Sequence, residues 1–221
     1  MEPVIGEGGI LVPPDDFLPG LRKLCDRYGW YLCIDEVLSG FGRCGKMWAY
    51  EHWDVEPDLL VIGKGLSGGI MPIAAVAARG DITQRADAYV ASTYSGHPAA
   101  CAAAITTLDI LGRPGFLEHV NELGAYGLAR LEDMKRRFAS IGDVRGKGLW
   151  LAAEFVKDRK TREKDHDKAA RVARHCLANG LYPVQDSISC FVRIQPPLTI
   201  ERSLFAQGLD ILEDAIAQTG G

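Results

Sequence analysis

Two short apolar runs in this chain stop abruptly on charge or glycine. Tyr31-Leu32-Cys33-Ile34 ends in Asp35-Glu36, and Leu59-Leu60-Val61-Ile62 ends in Gly63-Lys64-Gly65. Uninterrupted runs of this length, bounded by turn residues, read as strands buried on both faces of a parallel sheet. Ligands bind beyond the carboxyl ends of such strands, so the pattern brings one acid and one lysine to the same crevice. Ile73 to Ala78 reads as a further buried strand. Ahead of these runs, Asp15 or Asp16 can cap a helix with Phe17, Leu18, Leu21, Leu24 and Cys25 on one face and Gly29 just past its end.

The pattern then turns helical. The segment 92–98 forms a turn that opens an alanine-rich helix from Ala99 to Leu111. From Phe116 to Phe138, Leu117, Val120, Leu123, Leu128, Leu131, Met134 and Phe138 recur at helical spacing among charges. Beyond it come a strand over Leu149 to Val156, a charged loop from Lys157 to Lys168 that leads into a helix, a short strand Phe191 to Ile194, and a last helix with Leu204, Leu209, Leu212 and Ile216, capped by Thr199. This order divides the chain into a larger α/β region over 1–114, a connecting helix over 115–140 and a small α/β domain over 141–221.

Composition adds limits. The chain has 221 residues, 47% hydrophobic and 24% charged, which is ordinary for a folded domain. A net charge of -4 and a pI near 5.8 offer no basic surface for nucleic acid. No apolar run reaches membrane-spanning length, and the opening Met1-Glu2-Pro3 is not a signal peptide. The six cysteines (25, 33, 44, 101, 176 and 190) form no CxxC pair and read as free structural thiols; Cys33 and Cys101 sit inside apolar runs, which suits buried thiols in a reducing cytoplasm. The five histidines show no ligand spacing, so no metal site is expected.

Three motif grammars compete around the two strand ends. Gly40 to Lys46 has the spacing of a phosphate-binding P-loop, but Met47 replaces the magnesium-binding hydroxyl and no strand–loop–helix unit fits there. Gly63 to Gly68 matches GxGxxG, yet Gly69-Ile70-Met71-Pro72 and another strand follow where a dinucleotide site needs a helix. Leu66 to Gly69 spells LSGG, without a P-loop to serve. The third grammar uses the lysine itself. A desolvated lysine between glycines is a candidate Schiff-base amine, and an aspartate on the neighbouring strand end can pair with a protonated pyridine nitrogen. A surface lysine beside a turn is the bland alternative.

Taken together, these residues resemble the class III, pyridoxal-phosphate-dependent aminotransferases of fold type I. The resemblance rests on Glu2 to Gly9, Ile34 to Arg43, Pro57-Asp58, Lys64-Gly65, Thr93 to Pro98, Val144 to Leu149 and Arg193 to Leu198. The acid and the lysine, 29 positions apart (35 to 64), match the family's separation. It implies the C-terminal half of a cofactor-binding large domain, a mostly parallel sheet with helices, followed by a small α/β domain. It also implies a ping-pong transaminase that carries an amino group from an amino acid or ω-amine to a 2-oxo acid. A decarboxylase or aminomutase of the same family, or a non-catalytic fragment, are the alternatives.

Residue by residue, the resemblance makes Lys64 the Schiff-base lysine and proton carrier of pyridoxal 5'-phosphate chemistry, and Asp35 the partner of its pyridine nitrogen. Val37 would pack on the ring face, or be an ordinary core valine. Thr93 would reach the phosphate of the neighbouring subunit, implying a homodimer with shared sites, or cap a helix, or both. Arg193 would clamp the substrate carboxylate, with Glu2 the glutamate that screens it. Arg43 and Arg145 are assigned to structure. Two departures stand out. Leu38 occupies a position where many members carry a glutamine that contacts the cofactor's phenolic oxygen. Family members are also much longer, and the part not present here supplies the phosphate-binding turn and the ring-stacking aromatic. The chain would then be a fragment or be completed by another polypeptide, and would expose a sheet edge and an apolar face.

Overall fold

The computed structural model describes residues 1–84, 92–184 and 189–220. They fall into two compact units. The first comprises Met1–Val4 and Pro13–Leu117, the second Ile5–Val12 and Glu118–Gly221. Residues 5–12 therefore group with the C-terminal part of the chain, and the long helix expected as a connector over 115–140 lies almost wholly within the second unit.

In the first unit, α1 (Phe17–Tyr28) precedes β1 (Cys33–Asp35), and Gly29 ends the helix in the left-handed conformation. Asp16 occupies the cap position without a side-chain bond to the helix. β1 pairs in parallel with β2 (Leu59–Ile62), with Asp35 opposite Val61. The amide of Asp35 donates to Met1 O at 2.7 Å and that of Glu36 to Val61 O at 2.9 Å. The parallel ladder is therefore carried right up to the acid. Asp58 ties down the opposite, amino-terminal end. Its carboxylate accepts from Leu32 N (2.7 Å) and pairs with Arg22 (2.8 Å) and Arg79 (2.7 Å).

β3 (Ala75–Ala78) pairs antiparallel with β2 and forms the sheet edge. The sequence reading expects a buried strand here, and the structure corrects it: Ala75, Val76 and Ala77 are exposed. An Ala-Val-Ala-Ala run reports that a strand suits apolar cover, but the described residues supply cover to neither face. The short α2 (Gly80–Thr83) follows, and then α3 (Pro98–Leu111), a helix with Ala100, Ala104 and Leu111 buried and Ile105 exposed.

The second unit is built on β4 (Ile141–Lys147) and β5 (Trp150–Asp158), an antiparallel pair. β6 (Glu163–Lys164) and β7 (Phe191–Ile194) also pair antiparallel with β5. Helices α4 (Phe116–Arg137), α5 (His166–Ala178) and α6 (Arg202–Gln218) supply Val120, Leu131, Met134, Val172, Cys176, Leu209 and Ile216 to a core shared with Trp150, Phe155 and Val192. Each such fully buried side chain contributes about 1.5–3 kcal/mol relative to exposure. α4 passes so close to the β4–β5 turn that a side chain at Gly124 would overlap the Gly148 backbone. The cap of α6 is Glu201 rather than Thr199.

Candidate active site

The site begins where β1 and β2 end side by side. Asp35, half-buried, has its Oδ1 fixed by the amide of Val37 at 2.9 Å. On the neighbouring strand, Lys64 follows Gly63 and opens a 3-10 turn over Lys64–Ser67. Its side chain is exposed and its φ is +38°, an uncommon value for a residue with a Cβ. Val37 lies against Gly63, its methyls 3.7 Å from where a Cβ at that position would stand. The structure thus brings three expected residues, Asp35, Val37 and Lys64, to adjoining strand ends. Thr93 sits in an exposed turn over 93–96; the cap position of α3 is His97, so Thr93 does not cap that helix.

Glu36, next to Asp35, is fully buried. It accepts from Ser39 Oγ at 2.5 Å and from Tyr50 N at 2.9 Å. Burial pushes its carboxyl above the ordinary glutamate range, against the pull of those hydrogen bonds. Asp58 behaves oppositely. Burial alone would raise it, but the hydrogen bonds from Arg22 and Leu32 and the Arg22 and Arg79 charges hold it below the usual range.

Arg193, on β7, is nine-tenths buried and pairs with Glu7 at 3.0 Å. Its Nε is buried and has no partner among the described residues, so a donor remains for an incoming acid. Within the second unit, the acid that pairs with Arg193 is Glu7. Arg145 is structural as expected: it donates to Gly9 O (2.8 Å) and pairs with Asp143 and Glu154. A cleft of about 440 Å³ opens in the second unit, lined by residues including Tyr182, Val184, Ile194 and Leu204. Neither Asp35 nor Lys64 lines it. The described residues contain no cluster that could hold a metal and no helix long and apolar enough to cross a membrane.

An amine and a carboxylate thus stand at neighbouring strand ends, with Val37 against the glycine that precedes the lysine. Residues 1–216 match the family Aminotransferase class-III, and the chain belongs to that family. Among curated relatives, the leucine/methionine racemase of Thermococcus litoralis is 41% identical, over 98% of this chain and 48% of its own length. A probable 4-aminobutyrate aminotransferase of Bacillus subtilis is 39% identical, over 96% of this chain and 49% of its own. Among solved structures, a PLP-bound amine transaminase from an uncultivated Pseudomonas species superposes with a TM-score of 0.92 at 36% identity, covering 99% of this chain and 51% of that one. The fold is therefore that of the PLP-dependent aminotransferases, and pyridoxal phosphate is the cofactor. The chain spans about half the length of these relatives.

Proposed function

We propose that this chain carries the lysine and acid of a PLP-dependent transaminase that moves an amino group from an amino acid or ω-amine to a 2-oxo acid in ping-pong fashion. One observation carries the reading: parallel β1 and β2 end together, on Asp35 and just before Lys64. The cofactor, when bound, supplies an aldehyde that condenses with primary amines and a ring that draws electrons from the substrate. Asp35 would hold the protonated ring nitrogen, its own oxygen fixed by Val37 N. Val37 would offer methyls to a ring face. Lys64 would hold the cofactor through its amine and would carry the proton at the substrate Cα. Leu38 cannot hydrogen-bond the phenolic oxygen, which leaves that oxygen to other partners.

Arg193 grips a carboxylate through its fork, including the vacant Nε, while Glu7 neutralises it when the substrate end in the site is uncharged. The working form we propose is a cytoplasmic homodimer in which Thr93 reaches the phosphate of the neighbouring subunit. The six cysteines form no disulfide with one another, which suits such a compartment.

A second reading is racemisation, favoured by the 41% identity to the leucine/methionine racemase. Both reactions begin with loss of the Cα proton and part at the site of its return. The test incubates the protein with PLP, amino acids and a 2-oxo acid in deuterated water. New amino acid formed from the 2-oxo acid supports transamination. Deuterated, racemised amino acid without oxo acid supports racemisation, and release of carbon dioxide indicates decarboxylation. Absence of all three overturns an activity for this chain.

A further inference from the structure

Between the acid and the lysine lies a loop, residues 36–53, of which only Val37 and Leu38 enter the chemistry above. Glu36 holds it from inside. Its amide closes the ladder to Val61 O (2.9 Å), its carbonyl accepts from Gly40 N (3.0 Å), and its carboxylate takes Ser39 Oγ at one end of the loop and Tyr50 N at the other. The Tyr50 amide belongs to a 3-10 turn over Ala49–Trp53 whose start is also fixed by Glu51, which accepts from Trp48 N at 3.2 Å. A buried acid that bonds both ends of a loop is costly to bury alone and acts as its clasp.

What the clasp holds in place is Phe41. This residue is buried at φ +54°, a conformation unfavourable for a bulky side chain that persists only when its surroundings impose it. Its ring stands edge-on to Trp48, 4.9 Å between centroids at 67°. Its other side meets the backbone of Gly65, the residue after Lys64: a Cβ at 65 would lie 3.2 Å from Phe41 Cβ, too tight to fit without movement. The 3-10 turn that starts at Lys64 is thus braced from beneath, and its own bonds are Leu66 N to Gly63 O and Gly68 N to Gly65 O.

We propose that the 36–53 loop is a buttress for Lys64, with Phe41 and Glu36 as positioning residues that fix the backbone from which the amine projects. This rests on the reading of Lys64 as the cofactor lysine. The bracing needs no contact between Phe41 and the cofactor; it limits where the Lys64 backbone can go, and misplacement by about 1 Å is enough to slow a reaction about a hundredfold.

The experiment compares the 221-residue chain with Phe41→Gly, Phe41→Leu and Gly65→Ala. Glycine suits the positive φ and removes the ring, leucine keeps Cβ, Cγ and Cδ against Gly65, and Gly65→Ala keeps the ring but displaces it. Each is treated with PLP and borohydride well below its melting temperature, and amide exchange is followed at Leu66 and Gly68. We expect trapping at Lys64 to slow by about tenfold or more in Phe41→Gly and Gly65→Ala, with Phe41→Leu within about threefold of the parent. Exchange at Leu66 and Gly68 should quicken by about tenfold in Phe41→Gly. Unchanged exchange there overturns the buttress whatever the trapping shows, as does unchanged trapping in Gly65→Ala. Diffuse trapping in the parent chain instead overturns the Lys64 reading, which separates the two failures.

Discussion

Replacing Asp58 by alanine removes a carboxylate that joins α1, the starts of both parallel strands and the end of β3. It is 3% exposed and accepts Leu32 N at 2.7 Å, Arg22 at 2.8 Å and Arg79 at 2.7 Å. Leaving the buried Leu32 amide without an acceptor costs about 1–3 kcal/mol. Arg22, 19% exposed, keeps Asp26 but loses its inner partner, adding about 1 kcal/mol. Arg79 is solvated and adds little. The total is about 3 kcal/mol. With a urea slope of about 2 kcal/mol/M, the denaturation midpoint of the first unit should fall by about 1.5 M at pH 7. Asp58→Asn keeps an oxygen for Leu32 N and should lose about half as much. The folded pKa of Asp58 is depressed, so its contribution is fully present above the unfolded value near about 3.9 and disappears as pH falls through the folded one. The difference between parent and variant must therefore shrink on acidification below about pH 4. A loss under about 1 kcal/mol, or one that does not shrink in acid, refutes the reasoning.

Further outcomes follow from the other charged groups. Glu36 has a raised folded pKa, so its ionised form costs stability above that pKa and the cost is relieved as pH falls through it; Glu36→Gln should flatten this acid-side gain in a denaturation series. Arg145→Lys replaces the planar fork that spans Gly9 O, Asp143 and Glu154 by a single ammonium that cannot reach all three at these distances, and should lower the second unit's stability by about 1–2 kcal/mol in the same assay. Glu7→Gln frees the Arg193 fork and should tighten binding of a 2-oxo acid by about two- to fivefold in calorimetric titration, in line with an exposed pair. Unchanged affinity would detach Glu7 from that role.

Much of the architecture was legible because short apolar runs stopped by charge or glycine leave a strong mark, even though only Ile34 and Leu60 of these two strands are buried. The runs ending at Ile34 and Ile62 announced parallel strands, and the structure brings their acid and lysine to adjoining strand ends. α3 and α4 followed from alanine content and helical spacing to within a residue or so. Other features leave no such mark. β4 reads Ile-Gly-Asp-Val-Arg-Gly-Lys, with two apolar positions in seven, because it packs one face only. β3 looks buried in composition, but exposure depends on neighbours that composition does not name. Glu7 meets Arg193 across 186 positions, a distance no local pattern encodes. Phe41 at positive φ runs against the rule that reserves such conformations mainly for glycine, so only coordinates reveal it.

The central claim is that Lys64 is the amine that takes the cofactor, with Asp35 beside it. The most direct measurement is borohydride reduction of the chain after incubation with pyridoxal phosphate, followed by peptide mapping, with Lys64→Ala as control. Selective labelling at Lys64, abolished in the control, is the result this account predicts. Labelling spread across surface lysines, and unaltered by Lys64→Ala, would contradict it.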